Sequence, residues 1–263
     1  MSISTNLLSL SQLSHLNSIR RLWFYRSFPI FLLVIGLWNQ GATQNLTASE
    51  LLEESISYHD PNQELLKGEC EFQFRETRPG GADRYTTVKF GEDLNTFRIN
   101  RKVEEGSLVM GMDEGESLFL LNDSDDISSE LVEKYRLNDE WNMFMRNYYH
   151  YLWYLPMKLK DEGTIIDDKV MEKEFLGQSS LALRVTYEAE VGEDIWYFYF
   201  HPTSYAMIGY QFYHDEEAND GEYIVLEDEV GVGTVRLPKS RTWYTNKEDK
   251  LLGTDHLENL IIK

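Results

Sequence analysis

The 263-residue chain has one cysteine, Cys70. That excludes an intramolecular disulfide and any C-x-x-C redox or metal pair. Positive charge is also scarce: 25 Lys and Arg stand against 45 Asp and Glu, a formal net charge of −20. Nucleic-acid binding needs cations to neutralise phosphates, so no nucleic-acid partner is expected. The acidity fits a solvated surface that keeps the chain soluble. Catalytic signatures are missing too, with no G-x-S-x-G elbow, no H-E-x-x-H helix and no G-x-x-x-x-G-K-[ST] loop. No catalytic residue, no metal ligand and no cofactor is assigned, and an enzyme is not expected.

The N-terminus carries a targeting pattern. Basic RRLWFYR (20–26) precedes the apolar FPIFLLVIGLW (28–38) and the small, polar NQGATQ. Eleven apolar residues suit the central region of a secretory signal and fall short of the ~20 that span a bilayer. Residues 1–44 read as a signal peptide cleaved near 42–44, and residues 45–263 as one exported, periplasmic domain. An uncleaved anchor is the alternative, because Leu22–Tyr25 could extend the apolar run. Residues 1–44 hold three arginines and no acid, so their removal takes the charge from −20 to −23.

The remaining ~220 residues fit one β-rich domain. In GECEFQFRE (68–76), Cys70, Phe72 and Phe74 alternate with polar residues, the pattern of a strand with one face on a core. Cys70 is therefore expected to be a buried core residue. Similar patterns occur at TFRINRKV (96–103), SLVMGM (107–112), SLFLLN (117–122) and SLALRVTYEAEV (180–191). Further strands are expected at IWYFYF (195–200), YAMIGYQFYH (205–214), EYIVLEDE (222–229) and TVRLPKSRTWY (234–244). Turn signals such as RPGGAD (78–83) and DEGE (113–116) separate them, as in a strongly curved antiparallel meander. IWYFYF is apolar on both faces, so both faces need a cover.

Two helical segments are available as covers. TASELLEESISYHDP (47–61) opens with the capping box Thr47 and Glu50 and ends before Pro61. The second starts near Ser128 and contains WNMFMRNYYHYLWY (141–154), where seven of fourteen residues are aromatic. Helical spacing puts Trp141, Phe144, Met145, Tyr148, Tyr149, Leu152 and Leu155 on one face, expected to pack on the sheet. Met143, Tyr151 and Tyr154 fall opposite, with Trp153 on a flank. Together with Trp196 and Phe198 of IWYFYF they form the candidate ligand-binding set, because a helix apolar around most of its circumference is covered on more than one side.

Histidines sit beside acids in three places: His59-Asp60, His214-Asp215 and Asp255-His256. Convergence of these pairs in one cleft would suit acid-base or metal chemistry; structural capping is the simpler reading. The acidic loops 123–130 and 214–222 lack the spacing of an EF-hand.

ELLEESISYHDP (50–61), LPMKLKDEGT (155–164), HPTSYAMIGYQFYHD (201–215) and LPKSRTWYTNKEDKLLGTDHLENL (237–260) resemble an uncharacterised family of exported bacterial envelope proteins. That family is related to the lipoprotein-carrier, or Lol-type, superfamily. The resemblance implies an α+β fold: a curved antiparallel half-barrel whose concave, apolar face is covered by helices. It also implies an apolar cavity for a hydrophobic small molecule, lipid or acyl chain, which would gain roughly 25 cal/mol per Å² of surface buried. The chain is thus read as a monomeric periplasmic binding protein. The alternatives are an envelope protein-interaction module without a small ligand and a hydrolase with a His/Asp cleft.

Overall fold

The computed structural model describes residues 46–92 and 95–263, so the expected leader lies outside the described residues. Helix α1 (Ala48–His59) begins with the expected capping box: Thr47 Oγ1 accepts from the Glu50 backbone at 3.2 Å, and the Glu50 carboxylate accepts from Thr47 N at 2.9 Å. The short α2 (Glu64–Lys67) follows, its first N–H groups capped by the buried Asp60 at 2.7 and 3.0 Å. The first meander contains β1 (Cys70–Thr77), β2 (Arg84–Phe90), β3 (Phe97–Val103), β4 (Gly106–Asp113) and β5 (Glu116–Leu121). Next come α3 (Ser129–Tyr135) and α4 (Asp139–Trp153). A second run contains β6 (Thr164–Ile166), β7 (Met171–Phe175), β8 (Gln178–Tyr187), β9 (Ile195–Phe200) and β10 (Met207–Tyr213), then β11 (Glu222–Val232), β12 (Val235–Thr245) and β13 (Leu251–Ile262).

All thirteen strands share one antiparallel sheet, open at β5 on one side and at β6 and β7 on the other. Its two meanders are sewn together by β1 and β13, with Cys70 opposite Ile262 and Phe72 opposite Leu260. To pass from β5 to β6 the chain must return from one edge of the sheet to the other. Residues 122–163, with α3 and α4, make that return. A curved, mainly antiparallel α+β sheet with helices on its concave face is therefore the fold, as the family resemblance implies.

The concave face is filled by side chains. Phe72, Phe74, Phe90, Phe198 and Phe200 from the strands meet Leu51 and Leu52 of α1 and Leu152 and Trp153 of α4, all of them buried. Trp153 stacks on Phe72 with centroids 5.0 Å apart. His59 ties α1 to the sheet: Nε2 accepts from Met207 N at 2.9 Å, which leaves Nδ1 to donate to the Arg236 carbonyl at 2.7 Å.

Several expectations change in detail. The second helical segment is two helices, because Arg136 adopts a left-handed conformation and Asn138 caps a new start. Strand β8 stops at Tyr187, leaving Val191 exposed in the turn beyond it. Residues Trp196, Phe198 and Phe200 face the main core, but Tyr197 and Tyr199 are covered on the convex side by Phe175 of β7 and not by a helix. The Phe175 ring stacks on Tyr199 at 4.2 Å. It occupies space that a Cβ on Gly209 would enter, at 2.3 Å from the ring, so that position needs glycine.

The largest correction is the rotation of α4. Its buried residues are Asn142, Met145, Tyr149, Leu152 and Trp153, whereas Phe144 and Tyr148 are 53% and 37% exposed. Met145, Tyr149 and Leu152 lie on the packed face as expected and Trp141 is half-buried against the core at its edge; Phe144 and Tyr148 turn away from it. The cause is a polar anchor: the buried Asn142 amide donates to the Gly111 carbonyl and, at 3.2 Å, to Ser117 Oγ. Two apolar faces compete on this helix, and satisfying those buried groups selects one.

This rotation predicts unequal truncation costs. Leu152→Ala and Trp153→Ala should each destabilise by about 3–5 kcal/mol, and Phe144→Ala by less than about 1 kcal/mol, as read from denaturant midpoints. Cys70 is buried, its thiol donates to the Leu65 carbonyl at 3.6 Å, and burial pushes its pKa up. A thiol reagent should therefore label it slowly in native protein and rapidly after denaturation.

Candidate functional site

Period-two alternation places Cys70, Phe72, Phe74 and Glu76 on one face of β1. Across β2, the registered partners of these residues are Phe90, Val88, Thr86 and Arg84. On β3, Phe97, Ile99 and Arg101 continue the same rows. The inward face is thus apolar at one end and charged at the other. Beyond β1 the charged row extends across the seam, since Glu76 is opposite Asp255 on β13 and Asp255 is opposite Arg241 on β12. Four neighbouring strands therefore carry, in order, Arg84, Glu76, Asp255 and Arg241.

The two halves of this row are paired very differently. Arg84 grips Glu76 through Nε at 2.6 Å and through Nη2, and Thr86 Oγ1 donates to the same carboxylate at 2.6 Å. Burial alone would raise the Glu76 carboxyl, but these bonds and the Arg101 charge hold it below its usual value. Arg101 links the cluster to α4, donating to Thr86 Oγ1 at 3.1 Å and to the Tyr149 hydroxyl. On the other side, among the described residues, Asp255 accepts only a long 3.4 Å bond from Trp243 Nε1. Burial, reinforced by the Glu76 charge, raises its pKa to about 6. Arg241 is 1% exposed, and its guanidinium lies over the Trp153 ring, 4.0 Å from the centroid.

Above the charged end lies a half-open cleft of about 450 Å³. Trp141, Phe144 and Tyr148 of α4 form one wall, Trp243 stands on the sheet side, and Glu76 and Asp255 contribute to the floor. The wall is a stacked ladder: Trp141 to Phe144 is 5.0 Å between centroids at 18°, and Phe144 to Tyr148 is 6.3 Å at 16°. The Arg136 guanidinium caps it, 4.9 Å from the Trp141 centroid. Aromatic faces next to a few directed charges suit an amphipathic molecule.

None of the six residues expected to bind ligand lines this cleft. Trp153, Tyr154 and Phe198 are packed in the core, and Met143 is exposed. Tyr151 is half-buried with its hydroxyl 2.5 Å from that of Tyr187, and Trp196 is half-buried against Phe212. The rotation set by Asn142 turns Trp153 into the core and leaves Trp141, Phe144 and Tyr148 to line the cleft. A sequence signal for its floor did exist: Glu76 and Arg101 continue the inward parity of Phe74 and Ile99.

The histidine-acid pairs do not converge. His59 and Asp60 are buried supports of α1 and α2, while His214 pairs with Asp194 at 2.6 Å on the surface. Asp255 enters the cleft without His256, whose charged neighbours include Arg75 and Glu258 on the other side of the sheet. Among the described residues, no cluster of three His, Cys, Asp or Glu side chains has metal-holding geometry.

Fold and cleft define an open, curved-sheet α+β protein with its helices packed in the concave face. The chain belongs to DUF6503, a family of unknown function, which it matches over residues 26–259. The comparison with curated proteins gave no match. Among solved structures it is similar to a LolA superfamily protein from Nitrosomonas europaea, at 10% identity over 82% of this chain and 94% of that one, with a TM-score of 0.47. It is also similar to a domain from Vibrio parahaemolyticus described as an outer membrane lipoprotein-sorting protein, at 8% identity, 81% and 91% coverage and a TM-score of 0.45. A DUF1329 family protein from Desulfovibrio piger gives 10% identity, 82% and 92% coverage and a TM-score of 0.43.

Asp255 sets a pH dependence of stability. Its folded pKa of about 6 lies above the ordinary carboxyl value of 3.8, so the native state binds the extra proton and ionisation opposes folding. The penalty is absent below about pH 4, grows up to about pH 6 and is complete above it. At pH 7.5, Asp255→Asn should therefore stabilise the protein by about 1–2 kcal/mol, less than the full shift implies because the cleft is open to water. Urea unfolding at pH 4 should show no gain.

Proposed function

We propose that this is an exported, periplasmic binding protein for a hydrophobic ligand, a lipid or acyl chain, held against the aromatic wall of the cleft. The observation that carries this reading is the ladder of Trp141, Phe144 and Tyr148. Three stacked rings on one helix, two of them exposed, line a cleft large enough to take part of a chain. An exposed aromatic patch beside a cleft is the common setting for binding apolar surface. The concave interior is already filled, so the apolar part of the ligand lies along α4 and not inside an enclosed cavity. Export is supported by the order of basic, apolar and small polar segments in residues 20–44, and the chain is read as acting alone, without a cofactor. Among the described residues, no helix is long and apolar enough to cross a membrane.

The test is titration with N-phenyl-1-naphthylamine, an uncharged probe that fluoresces when taken into apolar surroundings. Wild-type protein should bind it, and Phe144→Ala and Tyr148→Ala should each weaken binding by about three- to tenfold while changing the urea midpoint little. Absence of binding to wild-type protein would reject the reading and favour a protein-docking role for the same ladder.

A further inference from the structure

The charged row across the sheet is paired on one side only. Arg84 and Glu76 satisfy each other, whereas Arg241 has no ion pair among the described residues and its Nη1 has no hydrogen-bond partner. A guanidinium stays protonated even when buried, so the charge cannot be relieved by losing a proton. Its stacking on Trp153 supplies a cation–π contact but no acceptor. Two more buried polar groups beside it are equally unpartnered: Trp153 Nε1 and the Tyr210 hydroxyl. Tyr210 is close enough that the Arg241 charge offsets part of the upward pull of burial on its hydroxyl. Arg241, Trp153 and Tyr210 come from β12, α4 and β10, so three elements bring three buried donors together, and the one acceptor among them, the Tyr210 oxygen beside Arg241, is neutral.

The acid in the best position to answer them is Asp255, the cross-strand neighbour of Arg241. It makes no ion pair with Arg241, and its carboxylate forms part of the cleft floor. Trp243, two residues along β12, and Tyr148 also line the cleft, and Tyr148 lies within electrostatic reach of Arg241. The guanidinium therefore sits directly behind the cleft, screened by Asp255 and Tyr148.

We infer that Arg241, with Trp153 Nε1 and the Tyr210 hydroxyl, is a binding site for the anionic group, carboxylate or phosphate, of an amphipathic ligand whose apolar part lies on Trp141, Phe144 and Tyr148. This rests on the reading of the cleft given above and adds the chemistry of the head group. An anion supplies the missing acceptors, and charge-assisted hydrogen bonds to a buried guanidinium are the strong ones. The Asp255 carboxylate is the internal competitor: when ionised it repels the incoming anion, and the head group enters by moving Asp255 and Tyr148 aside. Glu76 does not compete for Arg241, because Arg84 and Thr86 already hold it.

Two related probes separate the head group from the apolar part. Anilinonaphthalene sulfonate carries an anion on the ring system of uncharged N-phenyl-1-naphthylamine. Arg241→Gln should weaken binding of the sulfonate by about tenfold and change the uncharged probe by less than about twofold. Asp255→Asn, which keeps Arg241 in place, should tighten sulfonate binding at pH 7.5 about threefold more than it changes binding of the uncharged probe. The inference is overturned if Arg241→Gln leaves sulfonate affinity unaltered or reduces both probes equally. Should Arg241→Gln lose its near-ultraviolet circular dichroism, Asp255→Asn decides alone, and sulfonate binding unchanged or weaker relative to the uncharged probe rejects the site. Competition identifies the source of the anion. Displacement of the sulfonate by decyl phosphate but not by equal inorganic phosphate supports an amphipathic ligand; equal displacement by both assigns the site to a soluble anion and rejects the amphipathic part, and displacement by neither rejects the site. Failure of wild-type protein to bind the uncharged probe would remove the cleft reading itself, an outcome distinct from every Arg241 result.

Discussion

The return of the chain from β5 to β6 governs the rest of the structure. One open sheet with its two free edges joined by residues 122–163 forces that segment across a sheet face. Crossing the concave side buries the segment, so it must be apolar towards the sheet. Being helical, it also satisfies its own backbone groups. The aromatic density of residues 141–154 follows from this. Trp153, Tyr149 and Leu152 fill the space between the arms of the sheet, and the rings left over define the cleft.

Polar contacts then decide how that apolar segment sits. Asn142 hydrogen-bonds to β4 and its neighbour β5 through Gly111 and Ser117. Two turns of helix further on, Tyr149 receives Arg101, which passes through Thr86 to Glu76 and Arg84. Apolar packing supplies the larger share of stability but tolerates more than one rotation. Buried hydrogen bonds do not, because a group left unpaired costs about 1–3 kcal/mol. Specificity of the fold and the chemistry of the cleft thus come from the same residues.

Much of this was legible in the sequence where a local rule applied. Alternation located β1, β3, β4 and β8 and placed Cys70 inside; the capping box located the start of α1. Strand β13 was harder, because the register against β1 shifts between Gln73 and Phe74, so its inward leucines, Leu257 and Leu260, are three residues apart and not two. The rotation of α4 depended on Asn142, which a hydrophobic pattern counts as merely polar. Its aromatic stretch could be recognised as exceptional, but which face it would bury could not. The cleft floor draws on β1, β2, β3 and β13, so Asp255 became a neighbour of the other charges only through the pairing of two strands far apart in the chain.

The seam between β1 and β13 also bears on how the chain folds. Cys70 pairs with Ile262, so the middle of the sheet closes by joining segments from opposite ends of the described chain. Each meander can form from near neighbours, whereas the seam requires closure of a very long loop and so belongs to the slow, non-local class of contact. Until it closes, β1 and β13 present unpaired edges, the hazard that edge strands carry in any sheet. A chain organised in this way completes its centre last.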